Sequence, residues 1–160
     1  MKLETTIVIK TGVNRKRKMA IKQLLSSSLP SNKVVHWTLL GYRILIAFAM
    51  FRTHGWKKLH DFEGTVANIP DPFGMGGLAS AYISIFVNVV LAFFVAVGLL
   101  TRLSSIGILS LTLAGFFIVH FQDPWPVKDV PLMYSIAYGL LLILGPGSYS
   151  MDQWLNKKIK

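Results

Sequence analysis

A few polar side chains are candidates for binding chemistry because they stand among long runs of apolar residues. Arg43, Lys58 and Asn88 offer N–H donors that can hold an anion or a carbonyl oxygen. Histidine exchanges a proton near neutral pH, which suits His54 and His120 to the head of a quinone. The sequence predicts one cofactor-binding set, consisting of Arg43, His54, Lys58, Asn88, His120 and Tyr138.

No catalytic residue and no metal site are predicted. The chain has no nucleophile–base arrangement, no phosphate loop and no dinucleotide fingerprint. It has no cysteine, so any redox role needs a partner or a bound cofactor, for which quinone is the candidate. His54, His60 and His120 could be imagined around a metal ion, but their spacing matches no known signature.

Four apolar runs must position these side chains, and they fill most of the chain after residue 33. They cover residues 34–51, 78–100, 103–121 and 130–145, with short polar or Gly/Pro-rich breaks between them. A helix needs about 20 apolar residues to cross a bilayer, a length that the first three runs meet and the fourth slightly misses. The sequence therefore predicts an all-α fold, a transmembrane four-helix antiparallel bundle.

Composition supports a membrane protein over a soluble bundle. Hydrophobic residues make up 52% of the chain and charged residues only 15%, against about 25% charged residues in soluble domains. A soluble fold of 160 residues could not cover four uniformly apolar helices. We divide the single domain into a basic tail (1–33), the membrane domain (34–146) and an amphipathic segment (147–160).

The distribution of charge predicts that both termini are cytoplasmic. Residues 1–33, the break at Arg102 and the chain end carry twelve Lys and Arg residues, whereas the other two loops carry four against five acids. Cytoplasmic segments carry the Lys/Arg excess, so the two terminal segments and the break at Arg102 are expected on the cytoplasmic side. The basic tail is interpreted as contacting anionic lipid, and no nucleic-acid partner is expected.

Arg43 and Asn88 are expected at similar depth, each about ten residues into its span. An arginine there must face the bundle interior, a water cavity or a bound anion. The alternatives are a structural arginine that bonds helix carbonyls, a ligand contact, a snorkelling side chain or a pair with Asn88.

Local signals predict several helix boundaries. Asp129 and Pro131 suggest the N-cap and first turn of the fourth span. Ser150 and Gln153 have the spacing of a capping box, ahead of a short amphipathic helix. Residues 52–77 should extend the first helix and then form a chain of turns.

Together these features resemble the flavobacterial type of the DoxX family of small four-helix membrane proteins. The matching residues run from about 36 to 155 and include the motifs His54-Gly55-Trp56, Pro70-Asp71-Pro72, Thr101-Arg102, His120 with Asp123-Pro124, Lys128-Asp129, and Gly145-Pro146-Gly147. The resemblance implies a four-helix bundle in the cytoplasmic (inner) membrane. It also implies, as for some members of the family, association with oxidoreductase complexes such as thiosulfate:quinone oxidoreductase. Similar proteins commonly carry a glutamate at the position of Asn88, so this chain lacks a carboxylate that could relay protons.

Three functions are compatible with these observations. The first is a non-catalytic accessory or anchoring subunit of a membrane oxidoreductase or envelope complex, whose partners are membrane lipid and either other membrane subunits or further copies of itself. The second is a quinone-interacting oxidoreductase subunit. The third is a small oligomeric transporter, in which Arg43 would select anions.

Overall fold

The computed structural model describes residues 32–158 together with Met19, and this part of the chain is helical without any β-strand. The predicted basic tail therefore lies almost wholly outside the described residues. Four helices are long and apolar enough to cross a membrane, which confirms the four-helix fold. They are α1 (Lys33–His60), α3 (Gly77–Val97), α4 (Thr101–Val119) and α5 (Trp125–Leu144).

Two shorter helices complete the described fold. Helix α2 (Phe62–Asn68) follows α1, and helix α6 (Met151–Lys158) follows α5. We call the end of the bundle that carries residues 61–76 and 120–124 the loop end. The opposite end, with residues 98–100 and 145–158, is the terminal end.

The predicted extension of α1 is confirmed, so the helix ends nine residues beyond the run 34–51. Residues Phe51–Gly55 form a π-helical turn, after which the helix continues from Trp56 to His60. Glycine suits position 55 of this helix because α3 approaches the backbone closely there. A Cβ on Gly55 would lie 3.1 Å from the carbonyl oxygen of Asn88.

The predicted start of the fourth span is wrong. Helix α5 begins at Trp125 with Pro124 as its N-cap residue, so Asp129 is inside the helix. Pro126 lies in the first turn of α5, where a backbone N–H would have no partner within the helix, so its absence has no cost. Pro131 lies further along the same helix. The Ser135 hydroxyl donates to the Pro131 carbonyl at 2.8 Å.

Tyrosines join α1 to α5 across the bundle. The Tyr42 hydroxyl donates to the carbonyl of Ala137 at 3.1 Å, and the Tyr138 hydroxyl to that of Ile46 at 3.4 Å. Tyr138 is fully buried. Long side chains therefore fill the space between these two helices.

At the terminal end, α6 packs its polar side against the bundle. Ser150 caps the helix through a 3.2 Å bond from the N–H of Gln153, as predicted. Asp152 and Asn156 are buried, whereas Met151 and Trp154 are exposed. Helix α6 is therefore also part of the bundle, because the carboxylate of Asp152 accepts a hydrogen bond from the N–H of Thr101 at the start of α4.

Candidate functional site

A cavity of about 720 Å³ lies at the loop end. It is lined by α1, α3, α4 and α5 and by α2 with the loop that follows it. Much of its wall is apolar, with Met50, Ile83, Leu111, Val119 and Val130 among the lining residues. Cavities of about 300–1,000 Å³ with apolar walls and a few polar groups are typical of small-molecule sites.

Three spanning helices change to π-helical geometry beside this cavity. The π turns are Phe51–Gly55 in α1, Phe86–Leu91 in α3 and Gly115–Val119 in α4. Each supplies cavity-lining residues, among them His54, Asn88 and Gly115. A π turn interrupts the regular hydrogen-bond ladder and is frequent at functional sites. Nothing in the hydropathy pattern signals these turns.

A buried polar cluster forms one wall of the cavity. The Lys58 ammonium donates a hydrogen bond to the Ser84 hydroxyl oxygen. The same oxygen accepts a bond from the Asn88 amide at 3.3 Å. Ser84 and Asn88 are 4% and 3% exposed. Together with Lys58 of α1, these two residues of α3 form a polar patch in a largely apolar wall. Among the described residues, Lys58 forms no ion pair.

An aromatic group also lines the cavity. The rings of His54 and Tyr134 meet edge to face, with centroids 5.4 Å apart. The Tyr134 hydroxyl lies 3.2 Å from Oγ1 of Thr53. At the rim, His120 Nδ1 is 2.7 Å from a carboxylate oxygen of Asp123.

The loop between α2 and α3, which contributes to the cavity wall, is held by Asp71. Its carboxylate accepts bonds from the N–H groups of Met75 at 3.0 Å and Gly76 at 2.6 Å, and from the Ser80 hydroxyl at 2.9 Å. These bonds, that of Gly76 first, hold the pKa of Asp71 below its usual value because they favour the ionised form.

Four of the six predicted site residues line the cavity. They are His54, Lys58, Asn88 and His120. Tyr138 does not, because it is one helical turn deeper and fully covered. Tyr134 and Ser84 take part where the sequence prediction omitted them. The i, i+4 spacing of Ser84 and Asn88, and of Tyr134 and Tyr138, was the signal that could have found them.

Arg43 lies at the terminal end, away from the cavity. It is fully buried, and Nη2 donates to the carbonyl oxygen of Tyr149 at 2.5 Å. A Cβ on Gly98 would overlap the guanidinium, which places Arg43 beside the end of α3. Asn88 is ten residues earlier in α3, about 15 Å along the axis. The alternative of a pair between Arg43 and Asn88 is therefore not realised. The guanidinium bonds a carbonyl, as the structural alternative expects, but that of Tyr149 belongs to the segment between α5 and α6 rather than to a helix.

No three His, Asp or Glu side chains within residues 32–158 converge on a point that could hold a metal ion. His54 and His120 both line the cavity, whereas His60 does not.

Comparisons with known proteins match this architecture. The model of the DoxX family matches residues 38–121, more than half of the chain. The chain belongs to the DoxX family. It is also 30% identical over 120 residues to the inner membrane protein YqjF of Escherichia coli strain K12, covering 72% of this chain and 90% of that protein. No solved structure matches.

Family membership confirms the resemblance drawn from the sequence motifs. With four helices able to span a membrane, this DoxX chain is a multi-pass protein of the inner membrane in contact with lipid. The family model includes Lys58, Asn88 and His120 within its matched range, together with Arg43.

Proposed function

We propose that this DoxX-family chain is an accessory subunit of a membrane oxidoreductase or envelope complex that holds a lipophilic quinone-class molecule in the loop-end cavity. The observation that carries the proposal is the convergence of Lys58, Asn88 and His54 on one apolar cavity beside three π turns. The cavity volume of about 720 Å³ suits a ring with part of its chain.

The polar groups match what a quinone presents. Its two carbonyl oxygens accept hydrogen bonds, and Lys58 keeps two N–H donors after its bond to Ser84. Asn88 keeps one amide N–H after its own bond to Ser84. The rings of His54 and Tyr134 offer surfaces against which a planar ligand packs.

The proposed role is non-catalytic, since the Ser84 hydroxyl beside Lys58 is already engaged in hydrogen bonds. The Ser84 oxygen accepts hydrogen bonds from both Lys58 and Asn88, which engages both of its lone pairs. An attacking hydroxyl needs a free lone pair and a neighbouring base that accepts its proton. The arrangement supports a binding site, with electron transfer assigned to a partner.

The excess of Lys and Arg on the terminal segments supports an orientation with the terminal end in the cytoplasm. The cavity then faces the other side of the membrane. The transporter alternative depended on an arginine lining a path, and Arg43 is instead buried against the Tyr149 carbonyl.

The test of ligand binding is calorimetric titration of the detergent-purified protein with a decyl-substituted benzoquinone. We expect saturable binding that weakens about tenfold or more in Lys58→Met and in Asn88→Leu, since each loses a donor in an apolar site. Lys128→Met is the matched control, because Lys128 is at the same end of the bundle but bonds the Phe121 carbonyl outside the cavity lining. Absence of saturable binding would remove the quinone proposal.

The accessory role needs a separate test. Affinity purification of the tagged protein from native membranes should recover a redox-active partner at near-equal stoichiometry. Recovery of this chain alone, after mild crosslinking, would contradict the accessory role while leaving the ligand site intact.

A further inference from the structure

We infer that the loop-end cavity selects an amphiphile with an oxyanion head, and that Lys58 is the counter-ion of that head. This inference rests on the proposed function, because it takes the cavity to be a site for a lipophilic molecule. It goes beyond the quinone class, whose head is neutral, by assigning to the same cavity a ligand with a charged head.

The charge on the cavity wall is unbalanced. The titratable and charged side chains that line it are His54, Lys57, Lys58, Asp61, His120 and Tyr134. Asp61 is the single carboxylate in this lining, and its Oδ1 accepts a 2.9 Å bond from the N–H of Gly64, where it caps α2. The acid is therefore engaged by a helix terminus rather than by a lysine.

Lys58 reaches from the last turns of α1 onto a buried face of α3. Its described polar contact is the neutral Ser84 hydroxyl, which Asn88 also contacts. A hydroxyl offers an ammonium a hydrogen bond but no opposite charge. A cation held among apolar walls is stabilised strongly by an anion that completes its hydrogen bonds, and is costly without one.

The hydrogen-bond donors of the polar cluster that have no internal partner can bind such an anionic head group. Two ammonium N–H groups of Lys58, one amide N–H of Asn88 and the Ser84 O–H are left after the internal bonds are counted. The apolar lining, with Met50, Ile83 and Leu111, offers surface to an aliphatic chain. Charge-assisted bonds at the head and apolar contact along the chain together define an amphiphilic oxyanion.

Two sources supply this chemistry in a membrane: the carboxylate of a free fatty acid and the phosphodiester of an anionic phospholipid. The probes are oleate, its neutral methyl ester, phosphatidylglycerol and phosphatidylcholine, each titrated against the detergent-purified full chain. We expect oleate to bind about tenfold or more tightly than methyl oleate. Displacement of oleate by phosphatidylglycerol but not by phosphatidylcholine would assign the site to phospholipid, and the lack of displacement would assign it to fatty acid.

Three variants test the role of Lys58. Lys58→Met should abolish the preference for oleate over its ester, whereas Lys58→Arg keeps the charge and should retain it. Asn88→Asp places a carboxylate beside Ser84, so it should supply an internal counter-ion and weaken oleate binding without loss of the fold. Thermal unfolding of each variant checks that the bundle is intact, and Lys128→Met again serves as control.

The inference is overturned if oleate and methyl oleate bind equally to the wild type, or if Lys58→Met keeps the preference. Covalent labelling of Ser84 by a fluorophosphonate would also overturn it, since Lys58 would then act as a base rather than as a cation. A benzoquinone that binds where oleate shows no preference would sink this inference alone. If no amphiphile binds at all, the proposed function fails with it.

Discussion

Asp152 holds the backbone of Leu100 in a conformation that leucine rarely adopts. Leu100 has a φ of 46°, the one positive φ at a non-glycine residue in the part of the chain described. Its N–H donates to Oδ1 of Asp152 at 2.7 Å, and the N–H of Thr101 donates to Oδ2 at 2.8 Å. Free N–H groups at a helix N-terminus favour a carboxylate. Helix α6 thereby fastens the tight turn between α3 and α4.

Substitution of Asp152 by asparagine should destabilise the bundle by about 1–3 kcal/mol, since the amide removes the charge and one of two acceptors. Chemical denaturation in mild detergent measures the change in the free energy of unfolding. Lys157→Ala, on the exposed side of the same helix, is the control and should stay within about 0.5 kcal/mol of wild type. An Asp152→Asn protein as stable as wild type would show that the carboxylate does not stabilise the turn.

Gly98→Ala should lower the midpoint of thermal unfolding because two costs combine at this position. Gly98 has a φ of 74°, and a Cβ there would overlap the Arg43 guanidinium and the side chain of Ser150. A left-handed backbone alone costs alanine about 1–2 kcal/mol. Gly139→Ala is the matched control, because nothing lies within 4 Å of the added Cβ, and it should be neutral or stabilising by up to about 1 kcal/mol. Equal midpoints for the two variants would contradict the close approach at Gly98.

Arg43 and Asp152 should be energetically coupled at the terminal end. Both are fully buried. Both also meet Gly98, since a Cβ there would overlap the guanidinium and the Gly98 carbonyl accepts from the N–H of Asp152 at 2.8 Å. A double-mutant cycle with Arg43→Met and Asp152→Asn should give a coupling of about 1 kcal/mol or more, because two buried charges of opposite sign lie beside the same residue, Gly98. Strict additivity of the two destabilisations would indicate that Arg43 serves only the Tyr149 carbonyl.

Hydropathy and local capping signals predicted much of this fold. The four spans, the tight α3–α4 turn and the Ser150 cap follow from runs of apolar residues and from short-range hydrogen-bond chemistry. Such signals act within one helix, so they do not require knowledge of the neighbours. Family motifs then identified the family, which the comparisons confirm.

The depth and rotation of side chains were harder to predict, because they depend on how the helices pack. Arg43 was assigned a depth by counting from residue 34, yet α1 continues to His60 and the segment around Tyr149 covers the guanidinium. Residues 149–152 reach Arg43 because the chain turns back after α5. Hydrophobic periodicity does not predict the path of such a turn. The π turns likewise change the helical register of α1, α3 and α4 beside the cavity, which hydropathy does not signal. On α5, packing against the other helices decides that Tyr134 lines the cavity and that Tyr138 lies in the core.

The loop that carries Asp71 should loosen in acid. Hydrogen bonds from Gly76, Met75 and Ser80 hold the folded-state pKa of Asp71 below its unfolded value. A depressed pKa contributes stability above the unfolded value, and this contribution is lost as the pH falls from about 4 through the folded value. Limited proteolysis of residues 71–80 should therefore accelerate in acid for wild type.

Asp71→Asn should remove that acid dependence and leave the loop more susceptible at neutral pH. Glu63→Gln, an exposed carboxylate of the neighbouring α2, is the control and should follow the wild-type profile. A wild-type cleavage rate that stays constant between pH about 6 and about 3 would count against the role of Asp71.

Tyr134 and Tyr138 should separate ligand binding from stability. Tyr134 lines the cavity and meets His54 edge to face at 5.4 Å, so Tyr134→Leu should weaken benzoquinone binding about three- to tenfold through the lost aromatic contact. Tyr138 is fully buried and bonds the Ile46 carbonyl at 3.4 Å, so Tyr138→Phe should leave the affinity unchanged and cost at most about 1 kcal/mol of stability. Calorimetric titration and denaturation of the same preparations measure both quantities. If Tyr138→Phe weakened binding as much as Tyr134→Leu, the ligand would have to reach the tyrosine layer between α1 and α5, and a cavity limited to the loop end would no longer account for the site.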